Sequence, residues 1–357
     1  MTEGQPHSVR NTAVLRETLV RLAPGTALRD GLERIKRGHT GGLIVLGSGP
    51  EVTEICDGGI EFDVPFGATL LRELSKMDGA VVLSDDGSRI HRANVQLVPS
   101  PTFPTSETGT RHRAAERTAL QTGVPVVSVS ASMNIVTVFA GGVRHVIEEP
   151  GMLMTRARQA LATIEQYRSR LDKANQRLFV AEMNSYAAVE DVLHVLQREL
   201  MLQRAARDMD DQIIELGTEA RQLRIQLTEL RGTIDEDIEM LVCDYLVADG
   251  VPEKEHVDAA IAALMTLPDS ELLNTAALAR PLGLPATEEN LMQAVTPRGY
   301  RALNRVPRVQ KFLIDHIVAA FGDLNTILSA STEDFAQAEN VSPLWGRHIY
   351  EGLRRLN

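Results

Sequence analysis

Two short stretches hold the residue types that could do chemistry. Asp78-Gly79-Ala80 opens the apolar run Val81-Val82-Leu83, which places a carboxylate where a helix hands over to a buried strand. Thr110-Arg111-His112-Arg113 precedes an amphipathic segment, residues 114–121, and so stands at a helix start. Two arginines flanking a histidine concentrate positive charge where the helix dipole already favours anions. Arginine also makes forked contacts to phosphate that lysine cannot reproduce. Polyphosphate chemistry requires this combination, one group to hold a metal or activate a hydroxyl and others to neutralise phosphate oxygens. Asp-Gly-Ala alone is a common turn. The basic cluster is the more specific signal, because such a helix start is electrostatically unfavourable unless an anion is present.

The elements that must position these groups follow from apolar spacing. Residues 12–22 and 26–37 predict helices, the second carrying Leu28, Leu32 and Ile35 at helical spacing with Gly38 as its stop. Gly41-Gly42 introduces the apolar run Leu43-Ile44-Val45-Leu46, a buried strand. Gly47-Ser48-Gly49 lacks the Gly-Lys-Ser/Thr ending of a phosphate loop and reads as a turn. Residues 68–77 predict the helix that delivers the chain to Asp78, with Leu70, Leu71 and Leu74 inward. Asp86-Gly87 predicts a hairpin turn into a strand over 90–98, which accounts for Asp85 and Asp86 without a metal. A proline-rich loop, 99–104, precedes the basic helix, and Gly123 stops that helix. Strands are expected at 126–129, 135–139 and 143–147, the last two joined through Gly141-Gly142. Helices alternating with strands over residues 1–150 predict one α/β domain with a mixed sheet.

A length of 357 residues allows two or three domains. The formal net charge of −11 argues against nucleic acid along the whole chain but leaves room for a local basic patch. Two distant cysteines, Cys56 and Cys243, fit a reduced cytoplasmic protein. No apolar run approaches a membrane span of about 20 residues, and no signal peptide or zinc-ligand spacing is read.

Gly-Gly-Leu-Ile-Val-Leu-Gly at 41–47, Asp78-Gly79-Ala80 and Thr108-Gly109-Thr110-Arg111-His112-Arg113 together resemble the diadenylate cyclase domain of the DNA-integrity scanning family, in order and spacing. The rest of the chain resembles that family from end to end. The resemblance implies condensation of two ATP into cyclic di-AMP with release of two pyrophosphates, assisted by Mg2+ or Mn2+. It implies that Asp78 binds metal or activates the hydroxyl, that Arg111 and Arg113 hold the triphosphate, and that His112 contacts phosphate or metal. Gly79 would admit the nucleotide to the backbone, Leu97 would wall the adenine, and Thr110 and Ala114 would complete phosphate and ribose contacts, with Ser130 a weaker addition better read as a turn residue. Two equivalent phosphodiester links suggest two half-sites facing across a two-fold contact, and the family implies an octamer with cyclase domains at its centre. It also implies branched DNA as a partner and a chromosome-associated location. The reading from another class is an ATP-binding scaffold for DNA junctions without turnover.

Between residues 152 and 246 only Gly217 and Gly232 interrupt long amphipathic repeats, predicting an all-α helical spine over 151–280. The apolar pattern breaks near 201–210, which argues against one long coiled coil. Residues 235–258 hold nine acidic residues and one lysine, read as a solvated surface. In the last segment, 281–357, Val306-Pro307-Arg308 and Asn340-Val341-Ser342-Pro343 each stand before a helix, resembling a pair of helix-hairpin-helix units. Arg298, Arg301, Arg305, Arg308 and Lys311 lie in a stretch free of acidic residues and predict contact with DNA phosphates. Asn340 and Ser342 replace the usual hairpin glycines and Pro343 lacks a donor, which places the main contact on residues 305–311.

Overall fold

The computed structural model describes residues 5–285, 287 and 289–356. They form two compact units, one of residues up to 159 with Met209–Ile225, the other of Ala160–Asp208 with the residues from 226 on.

The first unit is built on an eight-stranded mixed sheet. Its strands are β1 (Gly42–Val45), β2 (Cys56–Asp57), β3 (Ile60–Pro65), β4 (Ala80–Leu83), β5 (Arg89–Leu97), β6 (Val126–Val129), β7 (Val136–Ala140) and β8 (Val143–Ile147). The order is β2-β5-β4-β1-β6-β7-β8, with β3 also on β5. β1 and β4 run parallel and every other pair is antiparallel. The continuous apolar runs of β1, β4, β6 and β7 are buried throughout, because helices cover both faces. Alternation sorts the side chains. Ile44, Leu46, Val81 and Leu83 face Leu32, Ile35, Leu71 and Leu74 of the helices Ala27–Arg37 and Ala68–Leu74. Leu43, Val45, Ala80, Val82 and Val95 face Ala115 and Ala119 of the helix Thr110–Thr122.

Local signals act as expected at the ends. Thr26 caps its helix by accepting from the Arg29 N–H, and Gly123 ends Thr110–Thr122 in the left-handed conformation at φ 71°. In the β4–β5 turn, Asp86 Oδ1 accepts from Ser84 Oγ and from the Ser88 N–H. Asp85 Oδ1 accepts from the Ser48 N–H, bracing the glycine turn after β1. The strands β2 and β3, which lie end to end along β5, are absent from the sequence reading. Their residues are mostly exposed and their charged pairs, Arg92 with Glu61 and Arg89 with Asp63, replace an apolar pattern.

The second unit is all helical. The helix Val189–Leu216 runs unbroken through 201–210. The apolar pattern fails there because polar side chains occupy interior positions, with Glu199 and Gln203 1% and 2% exposed. They belong to a buried polar layer in which Arg301 Nε lies 3.5 Å from Glu182 Oε1 and Arg301 Nη2 donates to Asn175 Oδ1. Tyr245 OH donates to Glu182 Oε1 at 2.7 Å. Asp244 corrects the reading of residues 235–258 as a solvated run. It is 2% exposed and accepts from the backbone N–H groups of Gly299, Tyr300 and Arg301 at 2.7, 2.8 and 2.9 Å. It thereby caps the helix Tyr300–Asn304, whose own N-cap, Gly299, has no side chain to do so.

Glu199 gives this layer a pH dependence. Burial pushes its carboxyl up to about 8, Arg301 opposing, and its Oε2 has no partner among the described residues. The folded chain therefore keeps a proton that the unfolded chain releases near pH 4.5. The stability this supplies is complete below that pH and is lost as pH rises through about 8. Glu199→Gln is expected to flatten the slope, so that thermal unfolding followed between about pH 5 and 9 falls with pH in the parent and much less in the variant.

Candidate nucleotide site

A cleft of about 710 Å³ opens at the end of the sheet where β1, β4 and β5 meet the helix Thr110–Thr122. Six residues singled out from the sequence line it: Asp78, Gly79, Leu97, Thr110, Arg111 and Ala114. Leu43, Asp57, Gly58, Gly59 and Asn94 also line it and were missed. Gly58-Gly59 joins β2 to β3 along β5 without reversing the chain, and the pair was the available signal that a strand is interrupted there.

The carboxylate reaches the cleft because Gly79 makes a sharp join. At φ +101° it passes so close to β5 that a Cβ would lie 2.6 Å from the Val95 carbonyl oxygen. Its lack of a side chain thus serves the packing of β4 on β5 as well as the cleft. Asp78 itself is exposed and accepts no hydrogen bond from a side chain among the described residues.

The helix start that also lines the cleft is electrostatically open. Gly109 offers no side-chain cap and the first turn contains no acidic residue. Neither Arg111 nor Arg113 has an ion-pair partner among the described residues, so both cations add to the dipole unopposed. The preceding loop is pinned by Ser100 N–H to Gln121 Oε1 at 2.7 Å, Arg117 Nε to the Phe103 carbonyl at 3.0 Å, and the Arg144–Glu107 ion pair.

Arg111 is placed by a glycine. A Cβ on Gly41 would meet Arg111 Nη1 at 2.5 Å and the Val129 carbonyl oxygen at 3.2 Å, and Gly41 stands at φ +70°. In Gly41→Ala the guanidinium, the far end of a flexible side chain, gives way. Backbone strain should destabilise the variant by about 1 kcal/mol in thermal unfolding, and an anion held by Arg111 should bind about tenfold more weakly.

His112 and Arg113 depart from the expectation. A step of two residues turns a helix through about 200°, so Arg113 does not share a face with Arg111; it is exposed and outside the cleft lining. His112 is 8% exposed, also outside the lining, and its Nε2 has no partner among the described residues. Burial holds its pKa below the ordinary imidazole value, with Glu107 opposing and Arg144 and Arg111 reinforcing, so the ring is kept neutral. Ser130 is buried and accepts from the Met133 N–H, a turn role.

No group of three or more His, Cys, Asp or Glu side chains that could hold a metal occurs among the described residues. Mg2+ is commonly held by one or two carboxylates together with substrate phosphates. Asp78 fits that mode and His112, a buried ring nitrogen outside the cleft, does not.

Comparison with known proteins gives this geometry its family. Residues 29–144 match the family model described as DisA bacterial checkpoint controller nucleotide-binding, and residues 147–291 match the one described as DisA bacterial checkpoint controller linker region. The DNA integrity scanning protein DisA of Corynebacterium efficiens is 59% identical over 342 residues, 96% of each chain. The chain belongs to the DisA family. DisA of Corynebacterium glutamicum is 58% identical over 96% of this chain and 94% of its own, and that of Streptomyces coelicolor 46% identical over 96% and 92%. The nucleotide-binding match of this DisA-family chain contains the whole cleft from Leu43 to Ala114. No helix among the described residues is long and apolar enough to cross a membrane.

The five cations expected to face DNA are not equivalent. Arg298 donates to the carbonyls of Cys243, Asp244, Ala248 and Gly250 and so closes a helix end. Arg301 is buried against Glu182, a position from which it presents no free guanidinium. Both correct the expectation of five surface cations, for one reason: carbonyls and a buried carboxylate claim the charge. Arg305 is exposed but lies over the Phe179 ring, 3.8 Å from its centroid. Lys311 pairs with Glu239. Arg308 is exposed with no ion-pair partner among the described residues.

Proposed function

We propose that this chain is a diadenylate cyclase, joining two ATP into cyclic di-AMP and releasing two pyrophosphates, and that branched DNA bound by its C-terminal helices regulates it. The observation that carries the reading is the pairing of one free carboxylate, Asp78, with an uncapped, unneutralised helix start bearing Arg111 in a single cleft.

In this mechanism the 3′-hydroxyl oxygen of each nucleotide attacks the α-phosphorus of the other. The bond from that phosphorus to the oxygen bridging to the β-phosphorus breaks, and the hydroxyl proton leaves to Asp78 or to water. Arg111 and the first-turn N–H groups of Thr110–Thr122 neutralise the charge growing on the departing pyrophosphate. Leu97 forms an apolar wall for the base. Asp78 would hold Mg2+ or Mn2+, which would supply the Lewis acidity that lowers the hydroxyl's pKa. One cleft holds one nucleotide, so the second must come from a second chain in a two-fold, face-to-face contact. Arg113, exposed and outside its own cleft, is available to that partner's nucleotide. An octamer would need a second, different contact, because the two-fold one closes at two chains.

The DNA reading rests on Arg308 and the turns around it. Its phosphate contacts should weaken steeply with salt. The discriminating experiment is to incubate the full chain with ATP and Mg2+ or Mn2+, with and without a four-way junction, and resolve products by mass. Cyclic di-AMP whose rate changes with the junction supports the proposal. ATP binding without product supports the scaffold reading instead.

A further inference from the structure

The C-terminal helices contain a repeat. The short helix Tyr300–Asn304 leads through residues 305–310 into Lys311–Phe321, and Thr332–Gln337 leads through 338–342 into Pro343–Leu356. Each turn buries one valine, Val306 or Val341, and holds one non-glycine residue at positive φ, Arg308 or Asn340. Each following helix places a histidine sixth, His316 and His348. The two rings brace the opposite turns. His316 Nε2 lies 2.9 Å from Asn340 Nδ2, and His348 Nε2 lies 2.8 Å from the Pro307 carbonyl oxygen.

The residue four before each histidine is apolar and exposed, Phe312 at 60% and Leu344 at 79%. At that spacing it shares a helix face with the brace, so both side chains flank the seam between the turns. The Phe312 ring is held 4.3 Å from that of His316. Core packing gives no reason for either residue. Arg308 lies four residues before Phe312 and Arg347 three after Leu344, both exposed without ion-pair partners among the described residues.

We propose that Phe312 and Leu344 form a paired apolar wedge that stacks on base pairs left open at a DNA branch, so that they supply preference for branched over continuous duplex. This rests on the DNA reading above and adds a mechanism to it. The cations answer the phosphates, which are alike in every duplex and carry no information about branching. A continuous duplex covers its base faces by stacking. A branch point exposes them, and apolar or aromatic side chains gain there by insertion or stacking.

The test uses the full chain, a four-way junction carrying 2-aminopurine at the branch, and a duplex of equal length closed by hairpin loops so that it has no open ends. The Phe312→Ser/Leu344→Ser double variant should bind the junction about tenfold more weakly. It should bind the closed duplex within about twofold of the parent and lose the change in 2-aminopurine fluorescence that the parent causes on binding the junction. Arg308→Glu should weaken both DNAs alike. Equal losses of the double variant on both DNAs, an unchanged junction preference, or a changed subunit number in place of changed DNA binding would each overturn the wedge. A parent chain that binds neither DNA overturns the DNA reading itself, and the wedge with it.

Discussion

Asp78→Asn is expected to lower the rate of cyclic di-AMP synthesis by about 10²–10⁴-fold, the usual worth of a positioned general base. The amide keeps the size of the side chain and loses the charge that would hold a divalent cation and accept the hydroxyl proton. Because Asp78 is exposed and the triphosphate is assigned to Arg111 and the helix start, ATP affinity without metal should change little, and thermal stability not at all. Single-turnover assays beside calorimetric titration separate the two effects. A variant whose rate and affinity fell together, by the same factor, would assign Asp78 to binding and not to the chemical step.

The second large effect is on folding and lies far from the cleft in sequence. Asp244→Ala removes the acceptor of three buried N–H groups at the start of Tyr300–Asn304. An orphaned buried donor costs about 1–3 kcal/mol, and the three share one site, so a loss of about 3–5 kcal/mol is expected. Asp244→Asn keeps an oxygen where Oδ1 accepts from Gly299 and Tyr300 and gives up the Oδ2 contact to Arg301, which should place it between the two. Denaturant unfolding of the full chain measures the ordering. An Asp244→Ala loss below about 1 kcal/mol would show that the cap is dispensable. The same change should release the turn at 305–310 and weaken DNA binding without touching a phosphate contact.

The contrast between these residues shows what the sequence could disclose. Asp78 and the Arg111 helix start were legible because both sit at junctions marked by local signals, a glycine before an apolar run and a basic cluster before an amphipathic one. The strands β1, β4, β6 and β7 were legible as unbroken apolar runs. Asp244 was not, because its three donors lie some 55 residues further on and it stands in an acid-rich stretch. Arg298 and Arg301 misled for the mirror-image reason. In sequence they stand in a basic stretch, and in space the carbonyls near residue 244 and the carboxylate of Glu182 have claimed them. The part played by Gly41 emerged only from its contact with Arg111. A glycine before a strand has many ordinary explanations, and no spacing rule ties it to a side chain 70 positions away. Arg113 stood next to the right residues but on another helix face, which periodicity could have shown before any coordinates did.

The central claim is that two chains each hold a nucleotide by the Thr110–Thr122 helix start and offer its sugar to the other's α-phosphate. The most direct measurement is a crystal structure of the protein with 3′-deoxy-ATP and Mg2+, since the analogue lacks the attacking oxygen and cannot turn over. A two-fold dimer is expected, with each triphosphate on the first turn of that helix against Arg111, each α-phosphorus facing the other ribose's 3′ carbon, and Asp78 beside them. A triphosphate bound away from Arg111, or two nucleotides whose sugars and α-phosphates do not face each other, would contradict it.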